Sequence, residues 1–219
     1  MLRVLLIPSS DYLAHPFPQR HNHLFERLNN FEDFEVHVVR FNLFGSPKLQ
    51  TRCVIHELPL ELKVRKTIAG YYLTNLPLFG SEIQKIIRQE SIDVVVIGNL
   101  APPLSYSFVR SLVRDRTPII FDLQDHYPTS ATGYITNING WFGKILTTSF
   151  EAMVRYVIRS ARVVITPGVA LANYARKIGA KRVKIVPNGI SEHFFILYDG
   201  SDVRERLGFG ENDIVVGYL

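Results

Sequence analysis

Cysteine is almost missing from this 219-residue chain. Cys53 stands alone, so no intrachain disulfide can form, and such usage fits the reducing cytoplasm. Long apolar runs are missing as well. The longest, Phe194 to Tyr198, falls far short of the roughly 18 residues that a membrane-spanning helix needs. The opening stretch, Met1 to Pro8, is too short and too soon broken by proline for a signal peptide. No internal repeat and no low-complexity segment is present. These absences set aside a collagen, a coiled coil, a disulfide-knotted secreted domain and an integral membrane protein.

Glycine is missing where a dinucleotide enzyme needs it most. A hydride-transfer fold places Gly-x-Gly-x-x-Gly after its first strand, so that the backbone can approach a pyrophosphate. Here Ser9 to Gln19 contains no glycine, and no Gly-x-x-x-x-Gly-Lys phosphate loop occurs anywhere. Metal-ligand spacing is absent too. His15, His21, His23 and His126 form no His-x-x-x-His pair, and no Cys/His pair stands at zinc spacing. No metal site and no bound cofactor is expected.

What is present describes a folded α/β chain. Hydrophobic residues make up 47% and charged residues 21%, enough to bury a core and too apolar for a disordered tail. At roughly 150 residues per domain the length gives about one and a half domains. Arg3–Pro8 reads as a strand buried on both faces, Arg20–Leu28 as an amphipathic helix, and Phe34–Phe41 and Cys53–His56 as strands. Leu62–Gln89 reads as two helices broken by Pro77. Strands over Ile92–Ile97, Pro118–Leu123, Arg162–Thr166 and Val183–Val186 then alternate with helices over Leu104–Val113, Phe142–Arg159 and Ala170–Ile178. This order predicts a doubly wound, mostly parallel, Rossmann-like sheet that binds ligands at the carboxyl ends of its strands. A capped helix is expected over Ser201–Leu207, and a fresh strand over Asp213–Leu219.

Two polar groups fall where such sheets do chemistry. Ser9, Ser10, Asp11 and His15, then Arg20, His21 and His23, follow the first strand and could grip hydroxyls or phosphate near a helix N-terminus. An ordinary solvated loop reads the same way. Asp122-Leu-Gln-Asp-His-Tyr-Pro128 closes a central strand with two acids and an imidazole. The plain alternative has Asp122 capping a turn and His126 merely packing.

The segments Phe121–Thr129, the long helix carrying Glu151, Ala161–Gly168 and Lys184–Ile190 recur in this order in one family. The chain resembles the N-terminal half of a GT-B glycosyltransferase of family 4, the glycogen synthase-like retaining type. Arg204–Gly208 followed by Asp213–Leu219 resembles the segment that opens the second domain of that family. The resemblance implies an acceptor-binding domain over 1–190, a linker over 191–212 and the first strand of a donor-binding domain over 213–219. The donor half, with its paired glutamates, would lie past Leu219, so the chain alone would be inactive. The resemblance further implies transfer of a sugar from a nucleotide-sugar to a lipid-linked or glycan hydroxyl, independent of metal. Many members carry a histidine late in the fifth strand; here Gln124 takes that place and His126 is offset by two. Members often have a Gly-Gly pair after the first strand, and this chain has none. Asp125 and His126 are the catalytic candidates. The residues expected to bind acceptor are Ser9, Ser10, Asp11, His15, Arg20, Asn99, Gln124 and Tyr127. Asn188 and Gly189 fall at the interdomain hinge, where glycine would allow a tight turn.

The net charge of +5 and pI near 9.3 invite nucleic acid, anionic membrane or a phosphorylated small molecule, and are also ordinary for a soluble domain. Lys63, Arg65 and Lys66 precede Tyr71 and Tyr72 and could lie in a membrane interface, on the inner face of the cell membrane; a packed helix with a solvated end competes. Arg155, Arg159, Arg162, Arg176, Lys177, Lys181 and Arg182 form a second basic region, for which ordinary solvated surface is the competing reading. Two other functions compete: a non-catalytic basic module that binds membrane or nucleic acid, and a sugar-nucleotide epimerase of the same architecture. Nucleic acid is not expected as a partner of the glycosyltransferase.

Overall fold

The computed structural model describes residues 1–15, 18–41, 46–58, 68–126, 141–189, 199–210 and 212–216, with the backbone alone at 68–78 and 141–142. Its contacts divide the chain into two units, Met1–Asn188 and Gly189–Leu219.

The first unit is a seven-stranded sheet with every neighbouring pair parallel, in the order β3-β2-β1-β4-β5-β6-β7. The strands are β1 (Leu2–Ile7), β2 (Phe34–Arg40), β3 (Val54–Glu57), β4 (Val94–Ile97), β5 (Ile119–Asp122), β6 (Val163–Thr166) and β7 (Val183–Ile185). The helices are α1 (Arg20–Leu28), α2 (Ile68–Gln89), α3 (Pro102–Arg114), α4 (Trp141–Ser160) and α5 (Val169–Lys177).

The unbroken apolar run of β1 is explained by what lies on its two faces. Leu5 and Ile7 join the core packed by Phe79 of α2, Phe108 of α3 and Val154, Val157 and Ile158 of α4. Val4 and Leu6 point the other way, to a smaller core with Phe25 of α1, Val36, Val38 and Val96. A strand that lies between two cores has no solvent face on which to place a polar residue. The edges differ: β3 and β7 carry exposed positions, as edge strands do.

Two expectations about elements are corrected. The backbone of α2 is one helix through Pro77 rather than two. Proline removes a single backbone donor and already holds a helical φ. A 22-residue helix anchored by buried Phe79, Ile83 and Ile86 carries that loss. In the second unit, α6 (Ser201–Arg206) forms and ends before Gly208, whose φ is +75°. Of the strand expected over Asp213–Leu219, residues 213–216 form none, the second unit offering no described strand of its own to pair with, and 217–219 lie outside the described residues.

Reversal of strand order between β1 and β4 opens the crevice where α/β sheets take ligands. Gly98, just past β4, sits there. A Cβ at this position would lie 2.6 Å from His21 Cε1 and 2.7 Å from the Ser9 backbone nitrogen. The glycine therefore lets the β4 turn, the β1 loop and the His21 ring close on one another. Gly98→Ala is expected to destabilise the protein by about 1–3 kcal/mol, the usual range for overpacking. Urea denaturation checks this; an unchanged midpoint would show that the crevice is not packed as described.

Candidate functional site

The crevice is organised by a buried acid. Asp122 ends β5 and is wholly buried, so its ionised carboxylate must be paired or pay a cost of several kcal/mol. The partners come from the start of α1 and from the turn after β5. Arg20 Nε donates to Asp122 Oδ2 at 3.0 Å, with Nη2 at 3.4 Å from Oδ1. His21 Nε2 and Gln124 Nε2 each lie 3.0 Å from the same Oδ2. An ionised carboxylate only accepts, so His21 Nε2 carries the proton and donates it. Burial pushes the Asp122 carboxyl up, but the hydrogen bonds and charges of His21 and Arg20 outweigh it and hold it below its usual range. The first turn of α1 holds no acid of its own. Asp122 supplies the negative charge that this end of a helix favours.

Arg20 does more than pair. Its Nη1 donates to the Pro187 carbonyl at 3.2 Å and to Asn188 Oδ1 at 2.9 Å, tying the last residues of the first unit to β5. Beside this group, Asn99 Nδ2 donates to the Asp125 carbonyl at 3.2 Å and fixes the turn after β5. Asp125 itself is exposed. The His126 ring meets Tyr174 of α5 edge-on, with centroids 4.5 Å apart.

Of the residues expected at the site, the structure brings together Arg20, Asn99, Gln124, Asp125 and Asn188. Ser9 and Ser10 are half-buried at the end of β1, next to Gly98. Asp11 is engaged elsewhere: it is 1% exposed, takes the Arg40 Nε at 3.2 Å and caps the Leu13 and Ala14 backbone. His15 Nδ1 faces Gln19 Nε2 at 3.1 Å. At Gly189 a Cβ would meet nothing among the described residues within 4 Å, and its φ is not positive. Tyr127, Lys63, Arg65 and Lys66 lie outside the described residues, and Tyr71 and Tyr72 are described only as backbone of α2. Among the described residues no three His, Cys, Asp or Glu side chains are grouped to hold a metal ion, and no helix is long and apolar enough to cross a membrane.

The sequence offers His21 as one of a polar set able to grip hydroxyls or phosphate, and Asp122 either as a chemical group or as a turn cap; it does not show that the two pair with each other. One signal was available: an acid that ends an apolar strand must be paired inside, and Arg20-His21 is a basic pair at a helix start.

Against known proteins, the family model of Glycosyltransferase Family 4 matches residues 22–194. The chain belongs to Glycosyltransferase Family 4. No curated protein sequence matches it. Its fold is similar to that of GT-B glycosyltransferases. Sucrose-phosphate synthase of Thermosynechococcus elongatus superposes with a TM-score of 0.61 at 14% identity, over 97% of this chain and 54% of that one. A UGT transferase of Siraitia grosvenorii, solved in complex with UDP, gives 0.57 at 10% identity over 94% and 55%. MurG of Acinetobacter baumannii gives 0.51 at 9% identity over 89% and 48%. The chain thus spans about half the length of these glycosyltransferases.

Removing the Asp122 charge tests the group. The depressed pKa means that the ionised carboxylate stabilises the fold above the ordinary value of 3.8, and that this contribution is lost as pH falls toward the lower native value. Asp122→Asn should cost about 3 kcal/mol near pH 7, since it leaves the largely enclosed Arg20 guanidinium without its counter-charge. The gap in urea midpoint between wild type and variant should narrow as pH falls below 3.8; a gap constant with pH would contradict the pairing.

Proposed function

We propose that this chain is the acceptor-binding half of an enzyme that transfers a hexose from a nucleotide-sugar to a hydroxyl of a lipid-linked or glycan acceptor. The observation that carries the reading is the position of the Asp122 group. It lies by the strand-order reversal between β1 and β4, with the Ser9–Ser10 bend and Asn99 beside it. Within that group Asp122, held by Arg20 and His21, acts as a frame. Asp125, exposed one residue past Gln124, is the carboxylate able to accept hydrogen bonds from acceptor hydroxyls. His126, placed edge-on to Tyr174, is the second group of the cleft wall.

The donor half is proposed to follow in the complete protein, since the chain spans about half of its structural neighbours. That division makes 1–190 the acceptor domain, 191–212 a linker and 213–219 the opening of the donor domain, with Asn188 and Gly189 at the hinge. Departure of the nucleoside diphosphate would be aided by basic side chains and a helix dipole rather than a chelated cation. A cytoplasmic enzyme touching the inner face of the membrane through Lys63, Arg65, Lys66, Tyr71 and Tyr72 fits a lipid-linked acceptor, on the strength of their basic-then-aromatic order.

The complete gene product tests this reading, assayed for acceptor-dependent release of nucleoside diphosphate from a panel of UDP-, GDP- and ADP-hexoses. Release should persist in EDTA. Asp125→Asn should raise the acceptor KM by about tenfold, the worth of a charge-assisted hydrogen bond, and leave the donor KM unchanged. No transfer from any donor, or an Asp125→Asn protein with unaltered acceptor KM, overturns it.

A further inference from the structure

The charge of this chain is concentrated in one segment. Residues 141–189 hold nine lysines and arginines against the single acid Glu151, eight positive charges net in a chain whose total is +5. The remainder is therefore net acidic. Among the described residues none of the nine makes an ion pair; the pairs present involve other cations.

Along this segment lies a cavity of about 690 Å³, bordered also by Val113 of α3. It runs along α4 from Thr148 to Ser160 and reaches Lys181, just before β7, at the amino-terminal edge of the strands. It shares no residue with the Asp122 group. Arg155 and Arg159 line it from successive turns of α4, four residues apart and hence on one face.

The position of Arg159 is built into the fold. Its Nε donates to the Ile178 carbonyl at 2.8 Å. The next residue, Gly179, has φ +101°, and a Cβ there would lie 2.9 Å from that same Nε. A glycine in the left-handed region thus lets the guanidinium lie across the end of α5, with both terminal nitrogens left to serve a ligand. The dipole of α4 accounts for a cation in its last turn, at Arg159, but not for Arg155 a turn earlier or for Lys181 in the following loop. Thr148 and Ser160 add hydroxyls to the lining, and Glu151 is the one lining group that would repel an anion.

We propose that this cavity is a phosphate-binding site, taking the phosphate of a soluble phosphomonoester or diphosphate, or that of an anionic lipid headgroup. Two guanidinium groups offer paired N–H donors to phosphate oxygens, and the Lys181 ammonium adds a point charge. The site is separate from the proposed sugar-transfer cleft and stands or falls independently of it.

The test is titration calorimetry of the protein with pyrophosphate, and cosedimentation with phosphatidylcholine vesicles with and without phosphatidylglycerol. Binding of pyrophosphate assigns the soluble source; binding of anionic vesicles alone assigns the lipid headgroup. In either arm Arg155→Gln with Lys181→Gln should weaken binding about tenfold or more, the worth of lost charge-assisted contacts. Arg176→Gln with Lys177→Gln, which removes equal charge outside the cavity, should cost less than about threefold, as screened charge at a distance does. Glu151→Gln should tighten binding, a gain that damage to the fold cannot mimic. Failure to bind either probe, or equal losses in the two double variants, overturns the proposal.

Discussion

A carboxylate buried without water has to be surrounded by donors, and the first unit is assembled around one such group. Asp122 draws Arg20 and His21 from the start of α1, Gln124 from the turn that follows β5 and, through Arg20, the Pro187–Asn188 segment far along the chain. Three stretches widely separated in sequence meet at a side chain that admits no solvent. The orientation of α1, the closure of the β1 loop on Gly98 and the exit of the chain at Asn188 all follow from satisfying that charge. A hydrophobic core tolerates small shifts of its members, whereas a buried ion with fixed donors does not.

The sheet was legible because its strands are buried on both faces. Runs such as Val94–Ile97 and Val163–Thr166 have no polar alternation, and helices with 3.6-residue spacing separate them. Pro77 misled because a proline signals a break locally, while the continuation of α2 is decided by Phe79 and Ile83 packing in the core. The site was legible in part. The motif after β5 placed Asp122, Gln124 and Asp125 at the carboxyl end of the sheet, but not the pairing of Asp122, since nothing in the neighbouring sequence names Arg20 as its partner a hundred residues away. Asp11, a polar residue of the same loop, is buried with its Oδ1 on Arg40, a pairing that its neighbours in sequence do not announce either. Contacts of that range are set by strand order, which composition and periodicity do not encode.

Charge is distributed with the same logic. At the carboxyl edge of the sheet Arg20 and His21 are spent on Asp122, while Asp125 stays exposed. Along α4 and the loop before β7 the cations are unspent and line a cavity. A polar cleft and a basic cavity on one sheet suit two ligands of different chemistry, a sugar and a phosphate.

The dependence of the fold on the Asp122 pairing is open to direct measurement by a double-mutant cycle. Urea stabilities of wild type, Arg20→Ala, Asp122→Asn and the double variant give the coupling between the two side chains. The account predicts a coupling of more than about 1.5 kcal/mol near pH 7, as for other closely paired buried charges. Additivity within about 0.5 kcal/mol would contradict it, and would mean that α1 is held in place by its other contacts.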